Sequence, residues 1–171
     1  MSDQSPLIVS ISGIRGLVGE SLTADVVARF AAAFGTTLTQ GDTVILARDT
    51  RPSGKGFAKI AAAALSGTGC RVVDLGKCST PGAKLMVTEL NAQGAIVITA
   101  SHNPAPWNGL KLVRADGIFL NAEEGQHVEA LFHSGAFRQA ASGSIETLDP
   151  AEVKSRHLQQ ILAHVDAAAI R

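Results

Sequence analysis

The chain has 171 residues, 46% hydrophobic and 18% charged, a composition that builds a packed core and excludes a disordered or fibrous protein. Fifteen basic residues balance fifteen acidic ones, so the positive excess usual in nucleic-acid binders is missing and no nucleic-acid partner is expected. No apolar run reaches the length needed to cross a bilayer, and no membrane partner is expected. Met1-Ser2-Asp3-Gln4-Ser5-Pro6 lacks the basic start and apolar run of a signal peptide, which points to the cytoplasm. Cys70 and Cys78 do not stand at a metal-type spacing, and Cys70 opens an apolar run, so a buried free thiol is expected there.

In chain order, residues 7–11 are apolar and β-branched and stop at Ser12-Gly13, which predicts a first strand. Residues 23–38 carry Val26, Val27, Phe30, Ala33, Phe34 and Leu38 at helical spacing, with Thr23 as N-cap and Asp25 in the first turn. A strand over 43–47 is followed by a helix over 52–65, with Pro52 where a first turn tolerates it. The alternation continues with strand 71–75, helix 81–90 and strand 95–99. Short strands are expected over 110–113 and 117–120, joined around Ala115-Asp116, then a helix over 122–132 and a small-residue loop over 140–144. Residues 150–170 read as a last amphipathic helix, with Val153, Leu158, Ile161, Leu162 and Val165 on one side. Near-continuous apolar strands alternating with helices predict an α/β fold, a three-layer α/β/α domain whose sheet is mixed and mostly parallel. The terminal helix carries no Gly or Pro stop after Ile170 and is expected to lead into a longer chain.

Four polar clusters follow predicted strands: Ser12-Gly13-Ile14-Arg15-Gly16, Arg48-Asp49-Thr50-Arg51, Ser79-Thr80-Pro81, and Thr99-Ala100-Ser101-His102-Asn103-Pro104. Ligands of open α/β sheets bind outside the carboxyl ends of the strands, so these clusters predict an anion site on one edge. Each has a plainer reading: the glycines around Arg15 as a turn, Arg48 and Arg51 as partners of Asp49 or helix caps. Ser101 beside His102 suggests a serine hydrolase, but the Gly-x-Ser-x-Gly elbow is missing and adjacent loop residues seldom point at each other. His127, His133, His157 and His164 fall on helices and are expected to be solvated.

Taken together, the clusters are more specific. Thr99-Ala100-Ser101-His102-Asn103-Pro104, followed by Trp107-Asn108-Gly109-Leu110-Lys111, resembles the active-site serine loop of the α-D-phosphohexomutases: phosphoglucomutase, phosphomannomutase and phosphoglucosamine mutase. Ser12-Gly13-Ile14-Arg15-Gly16 and Arg48-Asp49-Thr50-Arg51 resemble the arginine motifs of that family, in the same order, and the likeness runs over about residues 8–120. The spacer Pro104-Ala105-Pro106-Trp107 looks most like the phosphoglucosamine and phosphomannomutase branches.

The resemblance implies that Ser101 carries a phosphoryl group, passes it to a hydroxyl of a hexose or hexosamine phosphate, and regains one after a bisphosphorylated intermediate reorients. It implies catalytic roles for Ser101, Lys111 and Arg15, with Lys111 moving the proton at the sugar hydroxyl and Arg15 presenting a planar fork to phosphate oxygens. His102, Asn103, Arg48 and Arg51 would contact phosphate or substrate, or brace the loop. One oxygen on Ser101 would ligate Mg²⁺, and glucose 1,6-bisphosphate or a similar compound would serve as activator. Such enzymes have four domains. This chain lacks the Asp-Gly-Asp-x-Asp-Arg metal loop, the Gly-Glu sugar loop and the phosphate-gripping loop of the other three. The expectation is therefore a first domain over 1–148 and a helix over 149–171 leading toward a second, the remaining three domains being its partners and the chain alone catalytically incomplete. A non-catalytic sugar-phosphate or anion-binding module is the alternative.

Overall fold

The computed structural model of the chain describes residues 6–141, 143–166 and 169–170. In chain order it has β1 (Ile8–Ser10), β2 (Gly13–Leu17), α1 (Ala24–Thr37), β3 (Thr43–Arg48), α2 (Gly54–Gly67), β4 (Arg71–Lys77) and α3 (Thr80–Glu89). β5 (Gly94–Ile98), β6 (Trp107–Arg114), α4 (Ala122–Ser134), β7 (Ile145–Thr147) and α5 (Pro150–Ala163) follow. The strands form one mixed sheet in the order β1-β2-β6-β5-β3-β4-β7. β5, β3, β4 and β7 pair in parallel, and β5-β6, β6-β2 and β2-β1 pair antiparallel.

The apolar strands are continuous because both faces of the sheet are covered. Val44, Leu46, Ile96, Ile98, Leu110 and Leu112 point to a core shared with Phe30, Phe34, Phe57 and Leu65 of α1 and α2 and Phe132 of α4. Their neighbours Ile45, Ala47, Ala95, Val97 and Val113 point the other way, against Ala83, Met86 and Val87 of α3 and Val153 of α5. The three-layer α/β/α arrangement is thus present, with every residue of β5 buried at its centre.

The helix starts follow local chemistry. Thr23 accepts from the Val26 amide at the start of α1, Ser79 from the Gly82 amide at α3, and Asn121 and Glu124 form a reciprocal capping box at α4. α2 starts at Gly54, later than expected from Pro52, and its N-cap Ser53 makes no cap bond. The Ser53 hydroxyl instead accepts from Asn108 Nδ2 at 2.8 Å.

Four elements differ from the sequence reading. Residues 13–17 are strand β2 within a hairpin, not a loop behind β1; alternation along it buries Ile14 in the core beside Leu110. The expected strand 117–120 reduces to a single bridge between Val113 and Phe119. β7 carries no apolar run because it is an edge strand whose three side chains are all exposed. α5 ends at Ala163 rather than Ile170, positions 167 and 168 of the expected helix lie outside the described residues, and only Val153 of its apolar side is buried.

Cys70 is buried as expected, and burial raises its thiol above the ordinary cysteine range. No helix among the described residues is long and apolar enough to cross a membrane.

The segment after α4 is tied down by Arg138. Its Nε donates to Thr68 O at 2.7 Å, its Nη2 to Gly35 O at 2.8 Å and its Nη1 to Leu38 O. These carbonyls lie at the carboxyl ends of α1 and α2, where a cation also meets the negative ends of both helix dipoles. Arg138→Met is expected to lower the unfolding free energy in urea by about 2–3 kcal/mol, because half-buried carbonyls lose charged donors.

Candidate active site

β5 leaves the core at its carboxyl end. Thr99 and Ala100 are buried, whereas Ser101 is exposed. The Thr99 amide still donates across to Gly109 O at 3.0 Å, extending the β5-β6 ladder, and the Thr99 hydroxyl then accepts from the Ser101 amide at 3.0 Å. Ser101 has φ 59°, a left-handed conformation uncommon outside glycine, and it turns the side chain out of the strand line. A turn closes from the Asn103 amide to Ala100 O at 3.1 Å.

Arg51 holds this turn from below. Its Nη2 donates to Ser101 O at 3.1 Å and Asn103 O at 2.7 Å, and its Nη1 to Pro104 O at 2.8 Å and Trp107 O at 2.9 Å. Its Nε meets Asp49 at 3.1 Å, and Asp49 also accepts from the Arg51 amide. The Asp49 amide in turn donates to Ile98 O at 3.0 Å, so the turn after β3 is locked beside the end of β5. Every donor of the guanidinium is therefore committed to the protein, and Arg51 lines neither cleft at Ser101. Arg48 stands apart from the site, its stem packed on Gly54 at the start of α2.

Arg15 reaches the same loop from β2. Its Nη1 donates to Asn103 Oδ1 at 3.1 Å. The side chain passes directly over Gly109 of β6, its register partner, where a Cβ would come within 2.8 Å of Arg15 Cγ and 2.3 Å of Ile14 O. Only glycine permits that crossing. Next to it, Asn108 is fully buried, donating to Ser53 and accepting from the Gly109 amide at 2.8 Å, which fastens β6 to the start of α2.

Two clefts open on either side of Ser101. A narrow one of 190 Å³ lies between Ser101, His102, Arg15 and Lys111, with Ser10 and Ser12 on its far wall. A wider one of 510 Å³ lies between Ser101, Lys111, Thr80, Pro81, Lys84 and Phe119. Ser101, His102, Arg15, Asn103 and Lys111 are thus brought together, and neither cleft has an acidic wall. Sequence reasoning missed Lys84 and Phe119, which have no motif: Lys84 reads as an ordinary helix lysine, and only the packing of α3 on β3 and β5 brings it into the cleft that Ser101 also lines. Cys78, just before α3, is half-buried, and burial raises its thiol above the ordinary cysteine range. Another cavity, bounded by Phe34, Leu120, Val128, Arg114 and Asp116, lies at the opposite end of the sheet, where β5 begins.

No hydrogen bond joins Ser101 Oγ to His102 among the described residues, and no carboxylate lies in the clefts to orient a base. The arrangement suits a hydroxyl set among cations on a loop whose carbonyls are held by Arg51.

Residues 7–139 match the model of one family, described as phosphoglucomutase/phosphomannomutase, alpha/beta/alpha domain I. The chain is 37% identical over 161 residues to a phosphoglucosamine/phosphogalactosamine mutase of Sulfurisphaera tokodaii, a match that covers 93% of this chain and 35% of that protein. It is 36% identical to a phosphoglucomutase/phosphomannomutase of Thermococcus kodakarensis, over 93% of this chain and 36% of that protein. The crystal structure of a phosphoglucomutase/phosphomannomutase family protein from Burkholderia thailandensis superposes with a TM-score of 0.79 at 30% identity, over 92% of this chain and 37% of the other. The chain spans about a third of the length of these relatives.

Arg51 makes the loop rigid, and its removal should show locally. Arg51→Met is expected to cost on the order of 2 kcal/mol of stability and to speed hydrogen exchange at the Asn103 and Trp107 amides, which close the turns it holds. Arg51→Lys should recover little of either, because a single ammonium cannot serve four carbonyls.

Proposed function

The chain belongs to the phosphoglucomutase/phosphomannomutase family as its α/β/α domain I, and from that premise we propose that Ser101 carries the phosphoryl group in a mutase that interconverts hexose or hexosamine 1-phosphates and 6-phosphates. The observation that carries this reading is the exposed, left-handed Ser101 fixed between two cationic clefts by Arg51. A phosphoserine brings close to two negative charges, and Arg15, His102 and Lys111 surround the place where they would sit.

In the forward step the bond from phosphorus to Ser101 Oγ breaks as a bond to the sugar hydroxyl oxygen forms, and Lys111 passes the proton of that hydroxyl on to the departing Oγ, which ends as the free serine hydroxyl. The bisphosphorylated sugar turns over and its other phosphoryl group is returned to Oγ, which restores the carrier. Transfers of this kind need in-line placement and charge stabilisation more than covalent help, which is why a held loop and fixed cations suffice. Arg15 serves as the fork to phosphate oxygens, and Asn103 orients Arg15. His102 faces the narrow cleft as a phosphate contact. Arg51 acts through the loop as a positioning residue. The Arg48 side chain makes no hydrogen bond or ion pair among the described residues, and a role on phosphate would require it to leave Gly54.

Mg²⁺ prefers several hard oxygen ligands. Among the described residues no three His, Cys, Asp or Glu side chains converge, and Asp49 beside the loop is taken by Arg51. These residues alone do not fit a magnesium site. The reading gives the ion one ligand from this chain, an oxygen carried by Ser101, and leaves the others to the remaining three domains of a four-domain parent. Residues 1–148 would then be the carrier domain and 149–171 the helix leading toward the next, with a cytoplasmic setting. Glucose 1,6-bisphosphate or a similar activator would load the serine.

Intact-mass measurement of the full-length parent, before and after glucose 1,6-bisphosphate, is expected to find one phosphoryl group that Ser101→Ala abolishes. Absence of phosphate from Ser101 in both states would sink the mutase reading and leave an anion-binding module. The 171-residue chain alone is expected to show no measurable turnover of glucose-, mannose- or glucosamine-phosphates.

A further inference from the structure

The wide cleft holds a charge that the reaction just described does not use. Lys84 extends from α3 and Lys111 from β6, and their ammonium groups meet the same aromatic ring, Phe119, at 4.8 and 5.4 Å from its centroid. A cation over an aromatic face is held in place without being neutralised. Among the described residues neither lysine is paired with a carboxylate, and the cleft they share with Thr80, Pro81 and Ser101 has no acidic wall. Two like charges brought to one ring repel each other and leave a strongly positive hollow. The first turn of α3, which carries Thr80, has no acidic residue to offset its positive dipole end, and this adds to the same field.

The placement is built by the backbone. The chain reverses after β6 through Gly117, at φ 74°, where a Cβ would lie 3.0 Å from Lys84 O. That close approach seats the turn on α3 and allows the bridge from Val113 to Phe119, which sets the ring between the two lysines. A bulkier residue would push Phe119 away from Lys84.

We propose that Lys84, with Lys111 and Phe119, makes the wide cleft a second binding position for a phosphate monoester dianion beside Ser101, Lys84 being the cation that holds it. Both ammonium groups contribute to the field of the cleft, and Lys84 is the one that the transfer at the sugar hydroxyl leaves without a role. The anion is either the phosphate of the sugar substrate or the group on Ser101 itself. The inference deepens the phosphosugar reading and rests on it for the carrier of the phosphate, while binding of the anion itself can be measured without any phosphoryl transfer.

Inorganic phosphate is titrated into the isotope-labelled chain, and the amide shifts of Thr80, Lys84 and Phe119 are followed. Saturable, salt-sensitive shifts at these residues are expected. Lys84→Met should weaken them about tenfold, the loss of a charge-assisted contact, and Lys84→Arg should restore most of the affinity. The same weakening is expected in a Ser101→Ala background, where no phosphoryl transfer is possible. Equal affinity in the chain and in Lys84→Met, or shifts confined to Arg15 and His102, or no saturable shift, overturns the proposal. A chain carrying phosphate on Ser101 separates the two sources. Continued binding of free phosphate at Thr80 and Phe119 identifies the substrate's group. Loss of that binding, with a Ser101 phosphorus resonance that moves on Lys84→Met, identifies the group on the serine; loss without that movement overturns the proposal. Failure to find phosphate on Ser101 of the parent would refute the carrier role and leave these binding results standing.

Discussion

Arg51 sits beneath the loop that follows β5 and gathers the carbonyls of Ser101, Asn103, Pro104 and Trp107 into one planar fork. The turn that presents Ser101 has backbone acceptors facing inward and little apolar surface of its own. Without an internal donor it would be held by water and would sample many conformations. Asp49 fixes the guanidinium, and the Asp49 amide fixes that turn to the end of β5. The chemistry of the loop therefore rests on a charge spent entirely on positioning. A lysine could supply the charge but not five donors in one plane.

With the loop held, the other polar groups arrive from different layers. Arg15 comes along β2 and crosses Gly109, Lys111 comes along β6, and Lys84 comes from the helix on the opposite face to α1 and α2. Their common property is the lack of an acidic neighbour, although the chain as a whole is electrically balanced. Carboxylates are instead concentrated where they serve structure: Asp49 under Arg51, Glu124 in the capping box of α4, and Asp116 in close contact with Arg114 at the far end of the sheet. The hydrogen bond from Arg114 lowers the Asp116 carboxyl from its ordinary value. Segregation of sign, rather than net charge, leaves the Ser101 end positive.

The layered fold was legible in the order of apolar runs, since β3, β4, β5, α1 and α3 each bury a stripe that local spacing reveals. β7 was not, because an exposed edge strand needs no apolar side chains and owes its existence to β4. β2 was read as a loop because its glycines resemble a turn. Pairing to both β1 and β6 overrides that preference. The last helix was read as running to Ile170, whereas α5 closes at Ala163 with a His164 cap whose amide donates to Ile161 O and Leu162 O.

At the site, residue types clustered after strands pointed to an anion site around Ser101, Arg15, His102 and Asn103, because the rule that strand ends gather ligands acts locally, whereas Lys111, inside β6, was picked out only by the family resemblance of its motif. The difference between Arg48 and Arg51 lay beyond reach: both flank Asp49, and only the path of the loop after β5 decides which guanidinium meets four carbonyls and which packs on Gly54. Lys84 and Phe119 carry no motif at all. They enter the site because Gly117 lets the turn after β6 close on α3, a contact between residues far apart in the chain. The amino-acid order by itself determined the layers and the serine loop, set by short-range pattern and by the motifs that resemble a known family. The division of labour among the cations around that loop was decided only by the tertiary structure, because it depends on which carbonyls and rings the packed backbone brings within reach.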